Sequence, residues 1–388
     1  MKRDKSGTIT IAVDLKGHAN SYSVHVRCGS LGTAGQAVSA AVPLAKRVVI
    51  VSNKKVFGLY GEVVQASLTK AGFAVSVHLV ADGERFKTLR TTEGILNAFD
   101  AEGLTRTDVV ISLGGGIVGD VAGFAAAIHL RGIAHFQIPT TLLAMIDASV
   151  GGKTGVNSRA GKNRIGAFHQ PVGVLADLAV LRTLHRREII AGLCEAVKQA
   201  AVSGPKLLRE TESALEGGPD AFIQIRHAEA IEKFIASQIA FKARIIKADE
   251  RESTEALHSN SRKILNFGHT FGHALEHATN YRRFRHGEAV GHGVQFATDL
   301  SKRLELLGQN EVNLLNDVIR RVGPLPVVGG IEPGEIIKAL AGDKKKLGDS
   351  IQWILLEGIG KPVILPQTQI PEGMVVQAIK DYLKNKHS

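Results

Sequence analysis

The chain has 388 residues, a length that predicts about two domains and excludes a single small binding module. Hydrophobic residues make up 44% and charged residues 22%, too apolar for a disordered chain and sufficient for a sizeable core. The formal charge of +11 favours an anionic partner, whether nucleic acid, anionic lipid or a phosphorylated and carboxylated metabolite, without choosing among them.

The N-terminal MKRDKSGTITIAVDLKGH is basic but has no apolar h-region after it, and no later stretch is apolar for long enough to span a bilayer. Neither export nor a membrane partner is expected. Two cysteines, Cys28 and Cys194, are too few for a disulfide framework and fit a reducing cytoplasm. From Val48 to Ser52 the run VVIVS is β-branched, stops at the turn former Asn53 and gives way to a helical VFGLYGEVVQASLTKAG. AVSVHLV then ends at Asp82-Gly83-Glu84, a helical stretch runs to Glu102, and DVVISL runs into Gly114-Gly115-Gly116. IAHFQIP, ending at Pro139-Thr140-Thr141, reads as one more strand. Short apolar strands alternating with helices predict a Rossmann-like α/β domain with a parallel sheet over residues 1–180. Beyond Ala179–Arg182 long helical windows such as AEAIEKFIASQIAFKARIIKADERE and NEVNLLNDVIRRV predict a mainly α-helical domain over 181–388. IQWILL at 351–356 is the exception and predicts a short late hairpin. No internal repeat or low-complexity tract interrupts this order.

Three constellations carry candidate chemistry. Gly114-Gly115-Gly116-Ile117-Val118-Gly119 fits GxGxxG where a strand gives way to a helix, as phosphate binding by backbone N–H groups requires. A glycine-rich turn without a ligand would look the same. Asn53 and Asp82-Gly83-Glu84, at the ends of two earlier strands, add acceptors for ribose hydroxyls.

The second constellation is Asn266-Phe267-Gly268-His269-Thr270-Phe271-Gly272-His273, continued by His277, His286-Gly287-Glu288 and His292. His269, His273 and His277 recur at helical spacing and fall on one face. Zinc or a similar divalent ion wants two or three imidazoles, often a carboxylate, and an open position for substrate. The metalloprotease pattern requires Glu directly after the first histidine, where Thr270 stands, and so fails.

The third runs Gly151-Gly152-Lys153-Thr154, Gly161-Lys162-Asn163, then Glu195-Ala196-Val197-Lys198. A nucleotide phosphate loop fails because its first glycine is missing, Asp147 and Ala148 occupying that region. Glu195 and Lys198 could form an ordinary surface pair, but AGLCEAVKQA is mostly apolar, and buried charges need partners or a metal.

Together these segments carry a specific resemblance. LGGGIVGDVAGFAAA, Arg131-Gly132, QIPTTLLAMIDASVGGKTGVN, GKNRIGAFHQP, AGLCEAVK and NFGHTFGHALE followed by HGEAV resemble, in order and spacing, the 3-dehydroquinate synthases, sugar-phosphate cyclases of the shikimate pathway. The resemblance implies a two-domain lyase that converts 3-deoxy-arabino-heptulosonate 7-phosphate into 3-dehydroquinate and phosphate for aromatic amino acid biosynthesis. It also implies tightly bound NAD, a divalent metal (Zn2+ or Co2+) and a homodimer. Metal ligands would be Glu195, His269 and His286, with His273 as a substrate-side polar or proton-transfer residue. His277 gains no role. Asp147, Lys153, Asn163 and Lys198 fall on catalytic residues that hold the substrate's carboxylate and hydroxyls. Arg131, Lys162, Lys242, Arg262, Asn266 and a lysine of the run at 343–346, Lys344 or Lys345, fall on or near residues that hold its anionic groups, chiefly phosphate. The NAD contacts fall on Asn53, Glu84, Lys87, Gly115, Gly116, Asp120, Thr140, Thr141, Thr183, Leu184 and Glu188, with Lys153 and Lys162 shared between cofactor and substrate.

Two departures stand out. The stretch between Glu252 and Arg262 is longer than the short link of the family, which bears on both residues, and Cys194 precedes Glu195 where a small apolar residue is more usual. Related cyclases that make valiolone or inosose products are the first rivals, and Asn163 with the Gly-Gly-Lys run favours the dehydroquinate type. A metal-dependent polyol dehydrogenase would need no phosphate clamp of the kind Arg131, Lys162 and Lys242 offer. A nucleic-acid partner is disfavoured by 5% aromatics and by the lack of a basic stripe with interleaved aromatics.

Overall fold

Among the described residues, ten strands belong to the first half of the chain: β1 (Lys2–Arg3), β2 (Ile9–Val13), β3 (Tyr22–Arg27), β4 (Arg47–Asn53), β5 (Ala74–Val80), β6 (Val109–Gly114), β7 (Ala134–Pro139), β8 (Lys153–Ser158), β9 (Gly161–Phe168) and β10 (Gly173–Asp177). This computed structural model describes residues 1–15, 21–159, 161–253, 258–344 and 351–385. Two units emerge, Met1–Leu184 with Ile225–Lys247, and His185–Gln224 with Ala248–Ser388.

The first unit is built on one sheet in the order β1-β2-β3-β10-β7-β6-β4-β5. From β3 to β5 every pairing is parallel, and β4, β6, β7 and β10 are buried almost throughout, as strands covered on both faces must be. Val49, Val51 and Val110 pack against Val118, Val121 and Ala125 of the helix Gly116–Ile128 and against Ile95 and Phe99 of the helix Leu89–Ala101. Sequence reading missed the antiparallel edge: β2 pairs with β3, Ile11 opposite Val24, and β2 alternates buried and more exposed residues as a half-covered strand does. It also missed the hairpin of β8 and β9, which pair antiparallel with an irregularity between Val156 and Ser158. Their glycines and lysines have weak strand propensity.

The helix Ala228–Ala248 falls almost entirely in the first unit, although its sequence position lies in the second half. Its Glu232, 5% exposed, accepts hydrogen bonds from Arg3 and from the Cys28 backbone. Its Lys242, 6% exposed, pairs with Asp147. Each buried charge therefore finds its partner within the first unit.

The second unit is mainly helical, as expected, and includes a hairpin of β11 (Gln352–Leu356) and β12 (Pro362–Pro366), with Trp353 opposite Leu365. Phe271 of the helix His269–Ala278 stacks on Phe296 of the helix His286–Arg303 with centroids 4.1 Å apart. Tyr382 closes edge-on against both rings. Cys28 and Cys194 are free thiols. No described helix is long and apolar enough to cross a membrane.

Candidate dinucleotide, substrate and metal sites

Four neighbouring parallel strands of the first unit, in the order β7, β6, β4 and β5, deliver residues of interest at their carboxyl ends. Asn53 ends β4, Glu84 follows β5, Gly115 and Gly116 follow β6, and Thr140 and Thr141 follow β7. Strand ends of this kind are where open α/β sheets take ligands. The helix Gly116–Ile128 starts at Gly115 with no side-chain cap and no acidic residue in its first turn. Its amino end is thus open to an anion, which fits the diphosphate of a dinucleotide. Asn53 has a local duty as well, because its Oδ1 accepts from the Val56 backbone N–H at 2.9 Å. Thr141 Oγ1 similarly accepts from Ala144 N, and the Thr183 hydroxyl meets that of Tyr60.

A polar chain links several of these positions. The Lys87 ammonium, 4% exposed, contacts both Asp120 and Asn163. Asn163 N donates to Asn157 Oδ1 at 2.9 Å, and Asn157 Nδ2 donates to Glu84 Oε1 at 2.7 Å. The Lys162 ammonium reaches Glu84 at 4.0 Å. Asn157 was not foreseen; nothing in its spacing distinguishes it from the rest of the Gly-Gly-Lys segment. Arg131 and Asn163 both adopt left-handed backbone, φ 69° and 53°, which for arginine costs energy that the surrounding structure must hold. Lys153 opens β8 and is exposed. Asp147 accepts from Lys242 through Oδ1 at 2.7 Å and through its backbone carbonyl at 2.5 Å.

In the second unit three helices converge because small residues let them. Gly268, the N-cap of the helix His269–Ala278, has φ 78°, and a Cβ there would lie 2.6 Å from Val294 N on the helix His286–Arg303. A Cβ on Gly287 would lie 2.0 Å from the Ala191 carbonyl on the helix Arg186–Ser203. Any side chain at either place would push the helices apart.

The convergence brings Glu195, His269 and His286 together. Their approach is directional: His269 Nε2 and His286 Nε2 lie 3.9 and 3.5 Å from the same Glu195 oxygen, Oε1. Behind each ring, Nδ1 faces an acceptor, the Phe267 carbonyl at 3.3 Å for His269 and Glu276 Oε2 at 3.1 Å for His286. Glu195 is fully buried; its Oε2 is paired with the Lys198 ammonium at 2.7 Å, while Oε1 accepts no hydrogen bond. Burial, reinforced by Lys198, His286 and His273, pushes His269 well below the ordinary imidazole range, so the ring is neutral and keeps a lone pair. A buried carboxylate with one oxygen short of a donor, turned to imidazoles, is the donor set of a divalent cation and would suit zinc or cobalt. His273 is exposed, yet one of its nitrogens lies within 4.8 Å of donors on His269 and His286. A third imidazole is thus near enough to count among the donors. Cys194 only packs: its burial pushes the thiol well above the usual range.

The family models for the N-terminal and C-terminal parts of 3-dehydroquinate synthase match residues 77–191 and 192–346. The 3-dehydroquinate synthase of Rippkaea orientalis is 38% identical over 360 residues, covering 92% of this chain and 96% of that protein. The chain belongs to the 3-dehydroquinate synthase family. Solved structures agree at the level of fold. The 2-epi-5-epi-valiolone synthase of Streptomyces hygroscopicus, with NAD+ and Zn2+ bound, is 29% identical with a TM-score of 0.83, covering 96% of this chain and 99% of that one. A 2-deoxy-scyllo-inosose synthase complexed with carbaglucose-6-phosphate, NAD+ and Co2+ is 25% identical with a TM-score of 0.80 over the same shares.

Several of the expected site residues have partners of their own in the second unit. The Glu188 carboxylate is held by Arg285 Nε at 2.5 Å. Arg262, 3% exposed, donates to the Glu250 carbonyl at 2.5 Å, and Asn266 donates to Glu252 at 3.0 Å. Part of the long link before Arg262, residues 254–257, lies outside the described residues, as does Lys345. Lys344 ends the helix Pro333–Lys344. The residue that sequence reading missed in this unit is Glu276. Its signal was present, since it stands two turns after His269 on the same helical face.

Proposed function

We propose that the chain converts 3-deoxy-arabino-heptulosonate 7-phosphate into 3-dehydroquinate and phosphate, as an NAD- and metal-dependent lyase of the shikimate pathway. The observation that carries this reading is the convergence of His269 and His286 Nε2 on one buried Glu195 oxygen, in a chain matched across both halves by one family. When bound, the metal supplies Lewis acidity at the substrate's C5 oxygen and NAD supplies a hydride acceptor that is restored in each turnover.

The chain's own residues bind and orient. Glu195, His269 and His286 would hold the cation through one carboxylate and two imidazoles. Lys198 keeps the second Glu195 oxygen neutralised at 2.7 Å, so that Oε1 stays turned to the histidines. His273, exposed beside them, would pass a proton to or from a substrate hydroxyl. Lys153, Arg131 and Lys162 offer cations to a carboxylate and a phosphate, and Asn163 would meet a hydroxyl from the position that Asn157 and Lys87 hold. The uncapped amino end after β6 would take the NAD diphosphate. A cytoplasmic homodimer completes the reading.

The test is product analysis with the purified chain, NAD, zinc and the heptulosonate phosphate. Equimolar 3-dehydroquinate and phosphate support the reading. Turnover only of sugar phosphates that lack the substrate's carboxylate would move the chain to the valiolone or inosose cyclases.

A further inference from the structure

We propose that Glu276 is a positioning residue: it holds His286 in the Nδ1-protonated tautomer and so keeps Nε2 available to the metal. The inference rests on the metal reading above and deepens it. Glu276 Oε2 lies 3.1 Å from His286 Nδ1, and Glu276 is 2% exposed. An ionised carboxylate only accepts hydrogen bonds, so the imidazole nitrogen facing it carries the proton and the opposite nitrogen keeps its lone pair. That opposite nitrogen, Nε2, is the one 3.5 Å from Glu195 Oε1.

The two imidazoles are supported unequally. His269 is backed by the Phe267 carbonyl, an acceptor that no substitution removes, which lies just before the N-cap of the helix that His269 opens. His286 is 38% exposed and opens its own helix, so its ring has more room to turn. Glu276 arrives from the helix that carries His269, two turns further along. One helix therefore supplies one donor directly and orients the other from behind.

Glu276→Met keeps the bulk of the buried side chain and removes the acceptor, whereas Glu276→Gln keeps an acceptor oxygen. The full-length parent and both variants are stripped of metal and titrated with zinc against a chromophoric chelator, and the His286 tautomer is read by long-range 1H–15N NMR. The expected result is a loss of roughly 10–100-fold in zinc affinity for Glu276→Met, with affinity largely retained by Glu276→Gln. The metal-free parent should show Nδ1–H at His286. Zinc affinity within threefold of the parent for Glu276→Met, or a loss in Glu276→Gln as large as in Glu276→Met, overturns the role. If Glu276→Met does not fold, an Nε2–H tautomer in the parent overturns it alone. A parent that binds zinc tightly while the tautomer is wrong fails only the Glu276 role, and a parent that binds no zinc fails the metal reading and this role together.

Discussion

The Lys198 ammonium lies 2.7 Å from Glu195 Oε2, and the two side chains are 2% and 1% exposed. Glu195 thus has a cation on one oxygen and two imidazoles on the other. In Lys198→Met the buried carboxylate loses its permanent counter-charge, and removing one partner of a buried pair costs about 3–5 kcal/mol. The metal-free variant should therefore melt well below the parent, and zinc should restore more stability to it than to the parent. Turnover should collapse while zinc stays bound. Calorimetric unfolding with and without zinc checks this, and equal unfolding of metal-free parent and variant would show the pair to be inconsequential.

The third metal donor can be decided by comparing two variants. If Glu195 completes the set with His269 and His286, Glu195→Ala loses zinc after dialysis, whereas His273→Ala retains one equivalent and loses turnover. Elemental analysis checks this. Zinc lost from His273→Ala but kept by Glu195→Ala would make the site a three-histidine one.

Acid stability should report on His135 in β7, whose Nε2 pairs with Ser112 at 2.9 Å and whose Nδ1 is buried without a partner. Burial, with a smaller contribution from His169, lowers it from 6.5 to about 3. Between those values the unfolded chain binds a proton at this position and the folded chain does not. The contribution to stability is therefore complete above pH 6.5 and is lost as the pH falls towards 3, by up to about 1.4 kcal/mol per pH unit. Urea unfolding of parent and His135→Gln between pH 7 and pH 5 checks this; the variant should show the shallower loss. Parallel curves would contradict it.

Lys242 tests whether the helix Ala228–Ala248 is held to the first unit by its charge pair. Lys242→Met deprives Asp147 of a partner at 2.7 Å and should cost roughly 3 kcal/mol. Hydrogen exchange should then rise along that helix and in the segment around Asp147. Unchanged protection in both would show that the helix is held by its apolar face alone.

How far the sequence announces all this depends on whether the governing contacts are local. The parallel strands were legible because VVIVS, DVVISL and IAHFQIP are continuous apolar runs with turn formers at their ends, and the structure buries them on both faces. The clustering of His269, His273 and His286 as a candidate site was legible from the density of histidine and glycine, and the helical spacing of His269, His273 and His277 announced the first of the two helices. Three features were not. β8 and β9 are strands because each is the other's partner, which no propensity records. The helix Ala228–Ala248 joins the first unit through Glu232 and Lys242, whose partners Arg3 and Asp147 are far away in sequence. Arg262 and Asn266 look like free donors in the sequence, yet in the fold they donate to the Glu250 carbonyl and to Glu252.

The most direct measurement follows phosphate and NADH together while the zinc-loaded chain, supplied with one equivalent of NAD, consumes excess 3-deoxy-arabino-heptulosonate 7-phosphate. The account predicts many phosphates released per NAD, dependence of that release on NAD and on the metal, and no net NADH when the substrate is exhausted. NADH accumulating in step with the substrate consumed, with the phosphate still esterified, would contradict it and make the chain a dehydrogenase.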